Sequence, residues 1–105
     1  MTKSRRYEIL LPLRSEIGQP VAEELFSEML LELENKFEAV AWDAKFLYGS
    51  VRHGPRFFRD DLMRAFTDVE DTAENRAFFT ALKERVKERF QLSDVEITSS
   101  AKESE

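Results

Sequence analysis

The stretch AVAWDAKFLYGSVRHGPRFFRDDLMRAFTDV, residues 39–69, decides the fold. Residues 39–48 and 56–69 alternate large apolar side chains with smaller or charged ones, at the two-residue period of a β-strand. The intervening residues 49–55 contain two glycines and a proline, which favour a turn. The stretch therefore predicts a long β-hairpin, with a bulge in its second strand near residues 59–61.

One amphipathic helix is expected on each side of this hairpin. Residues 20–37 repeat apolar side chains at three- and four-residue steps, and residues 23–38 contain six acidic residues and one lysine. A second apolar stripe runs to Phe90, after Asp71 or Thr72 as the helix cap. Because this second helix carries a local charge of +2, with five basic and three acidic residues, the flanks of the two helices should attract each other modestly.

Each end of the chain contributes one further strand. Residues 7–13 and 95–98 show the strand period, and residues 99–105 are small and polar, so we expect them to fray. The order β-α-β-β-α-β predicts an α+β, ferredoxin-like fold, with a four-stranded antiparallel sheet and two helices on one face. We expect a single domain over residues 1–105, with an ordered core at about 5–98.

Composition excludes several classes of function. The formal net charge of −5 argues against a nucleic-acid partner, because phosphate binding needs a surplus of Lys and Arg. The chain has no cysteine and one histidine, so we expect no metal and no cofactor. No apolar stretch approaches the length of a membrane span or a signal-peptide core. We expect a cytoplasmic protein that does not contact membranes.

The predicted sheet has more apolar side chains than two helices can cover. If Met63 and Ala65 face the helices, Leu62 and Phe66 lie on the open face, where Trp42, Phe46 and Tyr48 would join them. Monomers seldom expose so large an apolar area. The sequence therefore predicts a homodimer, formed by the open face or by the edge of the hairpin.

Six residues of the hairpin are candidates for ligand binding. The aromatic members could form a pocket wall, although aromatic residues at this spacing more often serve a core or an interface. The polar members could be the polar groups of such a pocket. A histidine in a turn is nevertheless more often an exposed turn residue, and charged residues such as those near Arg59 and Asp60 more often form cross-strand ion pairs. The candidates are Trp42, Phe46, His53, Asp61, Arg64 and Phe66.

The chain resembles a family of small uncharacterised bacterial proteins, a domain of unknown function. It shares with them RRYEILLPL at residues 5–13, the Gly-x-Pro-Val entry to the first helix at residues 18–21, and FRDDLMRAFTDVEDTAENRAFF at residues 58–79. Glu88-Arg89-Phe90 also resembles the end of the second helix in a related group. The resemblance implies the ferredoxin-like fold and a bacterial origin, and it supplies no catalytic residue.

Three hypotheses about function follow. The first is a non-enzymatic, self-associating binding or interaction domain, because the chain lacks a recognisable catalytic set. The second is a small dimeric enzyme or small-molecule-binding protein with its pocket at the sheet-dimer interface. The third is a regulatory protein whose acidic first helix docks on a basic protein partner.

Overall fold

The structure is a computed structural model that describes residues 3–14, 19–37, 39–50 and 57–102, without the side chains of residues 44–50 and 57–61. His53 lies outside the described residues. The predicted order of helices and strands is confirmed. The elements are β1 (Ser4–Pro12), α1 (Glu23–Phe37), β2 (Ala41–Ser50), β3 (Phe57–Glu70), α2 (Ala73–Phe90) and β4 (Glu96–Lys102).

The four strands form one antiparallel sheet in the order β2-β3-β1-β4. This is the ferredoxin-like arrangement that the sequence predicts. β3 pairs with β2 without interruption from Phe57 to Phe66, so the bulge expected near residues 59–61 is wrong. Because β1 ends at Pro12, which cannot donate to a strand ladder, the first part of β3 pairs with β2 alone.

Both helices pack on one face of the sheet, where the core lies. Alternate residues of β1 and β3 point towards them and are buried, as the strand period predicts. α1 contributes Met29 and Leu33 to this core, and α2 contributes Phe79, Leu82 and Val86. The buried residues from the sheet are Tyr7, Ile9, Leu11, Met63, Ala65, Thr67 and Val69.

A defined cap begins α2. The side-chain oxygen of Thr72 accepts a hydrogen bond from the backbone N–H of Asn75 at 3.1 Å, which satisfies one of the free N–H groups at the helix start. Asp71, the other candidate cap, instead lies 3.4 Å from the guanidinium of Arg5. α2 ends at Phe90, and the next residue, Gln91, caps the helix in a left-handed conformation with φ of 53°.

The expected attraction between the helices is confirmed by ion pairs. Glu32 of α1 lies 2.5 Å from Arg85 and 3.5 Å from Arg89, both on α2. Lys36 and Glu74 add a longer contact of 3.9 Å in the opposite sense. These pairs are partly exposed and each stabilises the fold by about 0–1 kcal/mol, which is less than the burial of one large apolar side chain in the core contributes.

Among the element ends that differ from the sequence prediction, the start of α1 and the end of β4 differ because of backbone pairing. α1 begins at Glu23, three residues late, since the N–H of Val21 donates to the carbonyl of Leu13 at 2.9 Å and keeps that segment extended. β4 continues to Lys102, four residues beyond the expected end at Thr98. Residues 99–102, expected to fray, pair with Ser4 to Tyr7 of β1.

Candidate binding surfaces

The register of the hairpin separates the predicted ligand-binding residues onto two faces. Arg64 and Phe66 lie on the open face, opposite Asp43 and Ala41 of β2. Trp42 lies opposite Ala65, which is fully buried under the helices, so the indole belongs to the helix side of the sheet. The prediction that Trp42 joins Phe66 on the open face is therefore wrong, because paired residues of antiparallel strands share a face.

The other three candidates cannot be assigned to a pocket. Phe46 in β2 and Asp61 in β3 are opposite each other in the register, but their side chains lie outside the description. His53 is outside the described residues altogether. That these three residues take part in an interface pocket therefore remains a prediction.

Arg64 is held by carboxylates from both neighbouring strands. Its guanidinium donates to the two carboxylate oxygens of Asp43 at 3.1 and 2.7 Å, and lies 3.6 Å from Glu8. These contacts raise the pKa of Arg64 above its usual value. The interpretation as a cross-strand ion pair is confirmed for this residue, and a guanidinium already bound at two sites is a poor partner for a ligand.

A second ion-pair cluster joins three strands on the same face. Asp68 accepts hydrogen bonds from Arg6 at 2.8 and 3.1 Å and from Lys102. The hydrogen bond from Arg6 is the main reason that the pKa of Asp68 falls to about 2, with a further contribution from Lys102. Phe66 lies between the two clusters, with the Arg6 and Arg64 guanidinium carbons 5.0 and 5.1 Å from its ring centre.

These contacts change the expectation of a broadly apolar open face. Three half-buried apolar residues lie on this face: Leu10, Leu62 and Phe66. The sequence predicted this face for Leu62 and Phe66. Between them run the charged side chains of both clusters, which are already paired within one molecule. In the described part of the sheet, the apolar area of the open face is therefore not by itself a reason to expect a second molecule over it.

The Asp68 cluster predicts how stability depends on pH. Because the pKa of Asp68 is about 2 in the folded protein, below its ordinary 3.8, the carboxylate stabilises the fold fully above about pH 5 and loses this effect as pH falls towards 2. The full shift corresponds to about 2.5 kcal/mol, which partial exposure reduces to about 1 kcal/mol. We expect Asp68→Asn to lower the free energy of unfolding by this amount at neutral pH, measured by urea denaturation.

The control for this prediction is Asp94→Asn. Asp94 is highly exposed and lies 3.6 Å from Lys83, so its removal should leave stability nearly unchanged. The loss caused by Asp68→Asn should disappear near pH 2, where the wild-type carboxyl is itself becoming neutral. An equal loss at pH 7 and pH 2, on the order of 1 kcal/mol at both, would contradict the assigned role of the charge.

The edge of the hairpin offers the most exposed aromatic surface. β2 is the outermost strand on its side of the sheet. Trp42, near the start of β2, has 60% of its surface exposed. Among the described residues, the exposed large apolar side chains are Trp42 and Leu31, the latter with 57% of its surface exposed. Exposed tryptophan is typical of binding surfaces, because it combines large apolar area with one N–H donor.

A cleft of about 230 Å³ lies beside this tryptophan, between α1 and the sheet. Its apolar walls come from four elements or their ends: Leu13, Phe26, Leu30, Trp42 and Met63. Two polar residues of α1, Glu23 and Ser27, complete the lining. The cleft was not predictable from the sequence, because it depends on how α1 packs beside β2. The single tryptophan was the one available signal.

Two shallower depressions lack such walls. One, of about 690 Å³, lies between the outer faces of the helices and is lined mainly by charged residues around Leu31 and Phe78. Another, of about 280 Å³, lies beside Val40 and Thr67. The hydroxyl of Thr67 is occupied there, since it donates to the carbonyl of Ala39 at 2.8 Å.

The described residues contain no group of three or more His, Asp or Glu side chains placed to hold a metal ion. No helix among them is both long and apolar enough to pass through a bilayer.

Comparison with solved structures supports the fold. A phage SAM lyase in complex with S-methyl-5′-thioadenosine superposes with a TM-score of 0.68 at 9% identity, over 95% of this chain and 82% of the other. The B. subtilis GlnK-ATP complex gives 0.57 at 11% identity, over 97% and 84%. A Bacillus cereus protein related to NIF3 gives 0.60 at 7% identity, over 98% of this chain but 26% of that protein.

At these identities the similarity concerns the fold alone. No protein-family model matches the chain, and no curated protein is significantly similar to it in sequence. The ferredoxin-like part of the resemblance inferred from the sequence is thus confirmed by the topology and by the structural neighbours.

Proposed function

We propose that the protein is a non-enzymatic, self-associating binding domain in which a second copy pairs along the outer edge of β2. The supporting observation is that this edge, ten residues long, has no partner strand within the described part of the chain and carries the exposed Trp42. An unpaired edge presents a row of N–H and C=O groups that can pair with another strand. The sequence resemblance and the lack of cysteine favour a bacterial, cytoplasmic setting.

Pairing of two β2 edges would be self-complementary. Antiparallel strands related by a two-fold axis offer each other the same groups, which is the usual symmetry of a homodimer. The opposite edge of the sheet is less suited. β4 has seven residues, and its last four are serines, an alanine and a lysine, a short polar strand of the kind that resists edge pairing.

Sedimentation measurements on the wild type and two matched variants test this proposal. We expect a dimer at micromolar concentration, and Trp42→Glu should raise the dissociation constant at least about 30-fold, since it removes the exposed aromatic ring of each copy from the contact and places a charge at each end of it. Leu31→Glu is the control, because Leu31 is almost equally exposed but lies on α1. A wild-type monomer throughout the micromolar range, or equal effects of both variants, would refute pairing at β2.

A second candidate function is the binding of an adenosine-containing small molecule. The phage SAM lyase structure holds S-methyl-5′-thioadenosine and the GlnK structure holds ATP, two ligands that share the adenosine group. The cleft beside Trp42 supports this candidate more directly than the pocket predicted from the open face, where Asp43 already holds Arg64. Calorimetric titration with S-methyl-5′-thioadenosine and with ATP tests it, and absence of heat with both would remove it.

A further inference from the structure

We propose that the cleft between α1 and β2 is a site for a planar heteroaromatic base that carries an amino group, with its ring against the indole of Trp42. This inference rests on the second candidate function and specifies both the location and the chemical class of the ligand. Of the residues that line the cleft, Trp42 is the one that the sequence itself indicates as a candidate for binding.

The walls of the cleft are held in place by the core. Met63 is 3% exposed and belongs to β3, so the floor of the cleft is part of the sheet. The ring of Phe26 packs edge-on against Phe90 of α2, with 5.2 Å between ring centres. Since both side chains are fixed by contacts of the core, a flat molecule entering the cleft would need little rearrangement of these walls.

The volume of the cleft limits the size of the ligand. At about 230 Å³, it exceeds the roughly 150 Å³ cavity that accepts benzene. It is smaller than the roughly 300 Å³ at which pockets for drug-sized molecules begin. One or two fused rings therefore fit, whereas a longer substituent must extend into solvent.

The polar residues indicate which groups the ring should carry. Among the described residues that line the cleft, Glu23 supplies the one charge, and Ser27, one helical turn later, supplies a hydroxyl. A carboxylate accepts hydrogen bonds and donates none, so the matching ligand group is an N–H donor such as a ring amine. Its negative charge also disfavours phosphate near the cleft, which predicts preference for a base or nucleoside over a nucleotide.

The exposure of Trp42 agrees with this assignment. An indole with 60% of its surface accessible in the free protein retains a face for another ring. Stacking of a base on an aromatic side chain contributes through apolar contact and through the electrostatics of the ring faces. A carboxylate and an aromatic platform together select amino-bearing rings over purely apolar ones.

Adenine is the probe for the test, and purine, which has a hydrogen atom in place of the amino group, is the matched control. We expect adenine to shift the NMR signal of the Trp42 indole N–H with a dissociation constant on the order of 1 mM. Purine should bind about fivefold more weakly, and Glu23→Gln should weaken the binding of adenine by a similar factor. Equal binding of the two bases, or indifference to Glu23→Gln, would overturn the assigned ligand class.

A second pair of variants locates the ligand. Ser27→Tyr places a bulky ring at the cleft on an exposed helix position and should abolish adenine binding. Glu34→Tyr makes the same new side chain at another exposed position of α1, outside the cleft, and should leave binding unchanged. If Ser27→Tyr still binds adenine, the small-molecule function stands but the site proposed for it is refuted. If the wild type does not bind adenine, the inference itself is refuted.

Discussion

Truncation of Leu33 to alanine should lower the free energy of unfolding by about 3 kcal/mol, within the roughly 2–5 kcal/mol range for buried leucines. Leu33 is completely buried where α1 faces the sheet. The loss combines the missing apolar contact with the cavity that remains. Since a small domain has about 5–15 kcal/mol in total, this single change should consume a large part of the stability.

Leu31→Ala is the matched control for this experiment. It makes the same chemical change two residues earlier in α1, where the side chain is 57% exposed. We expect its effect to stay within about 0.5 kcal/mol, because surface substitutions seldom do more. Urea denaturation followed by far-ultraviolet circular dichroism measures both variants, and equal losses would show that α1 does not pack as described.

Phe79→Ala should produce a loss of similar or larger size, about 3–5 kcal/mol. The ring of Phe79 is 2% exposed and lies between two others, stacked on Tyr7 at 3.9 Å and nearly parallel to Phe37 at 5.4 Å. These three rings come from α2, β1 and α1, so the stack joins both helices to the sheet. Removal of the middle ring disrupts contacts of all three elements.

The neighbouring Phe78 is the comparison for this variant. It packs edge-on against Phe79 and Phe37 and is only half-buried. We expect Phe78→Ala to cost about 1–2 kcal/mol, measured by the same denaturation experiment. If Phe79→Ala does not fold, Phe79→Leu replaces it in the experiment. This variant retains most of the apolar contact, and its free energy of unfolding should be lower by about 1.5 kcal/mol. A larger loss at Phe78 than at Phe79 would contradict the stack.

The element order was predictable from the sequence because each element has a strong local period. α2 shows this best: Thr72 and the apolar stripe to Phe90 mark both of its ends within one residue. Ends that depend on pairing with distant residues were missed. The start of α1 is delayed by the hydrogen bond from Val21 to Leu13, and β4 extends along β1, neither of which leaves a local signal.

The binding surfaces were harder to predict because they depend on register and packing. Whether Trp42 shares a face with Phe66 is decided by which residues of β3 it opposes, and a shift by one residue reverses the answer. The pairing of Asp43 with Arg64, 21 residues apart, has the same origin. Composition predicted surplus apolar residues on the sheet but could not show that guanidinium groups lie over Phe66.

The position of the single tryptophan has a consequence for spectroscopy. Trp42 lies at the exposed edge of the sheet rather than in the core. In an isolated protomer its fluorescence emission should already resemble that of an indole in water, so heating would change the spectrum little while the helices and the sheet separate. A melting curve recorded by tryptophan emission would then report events at the hairpin edge and would miss the loss of the core.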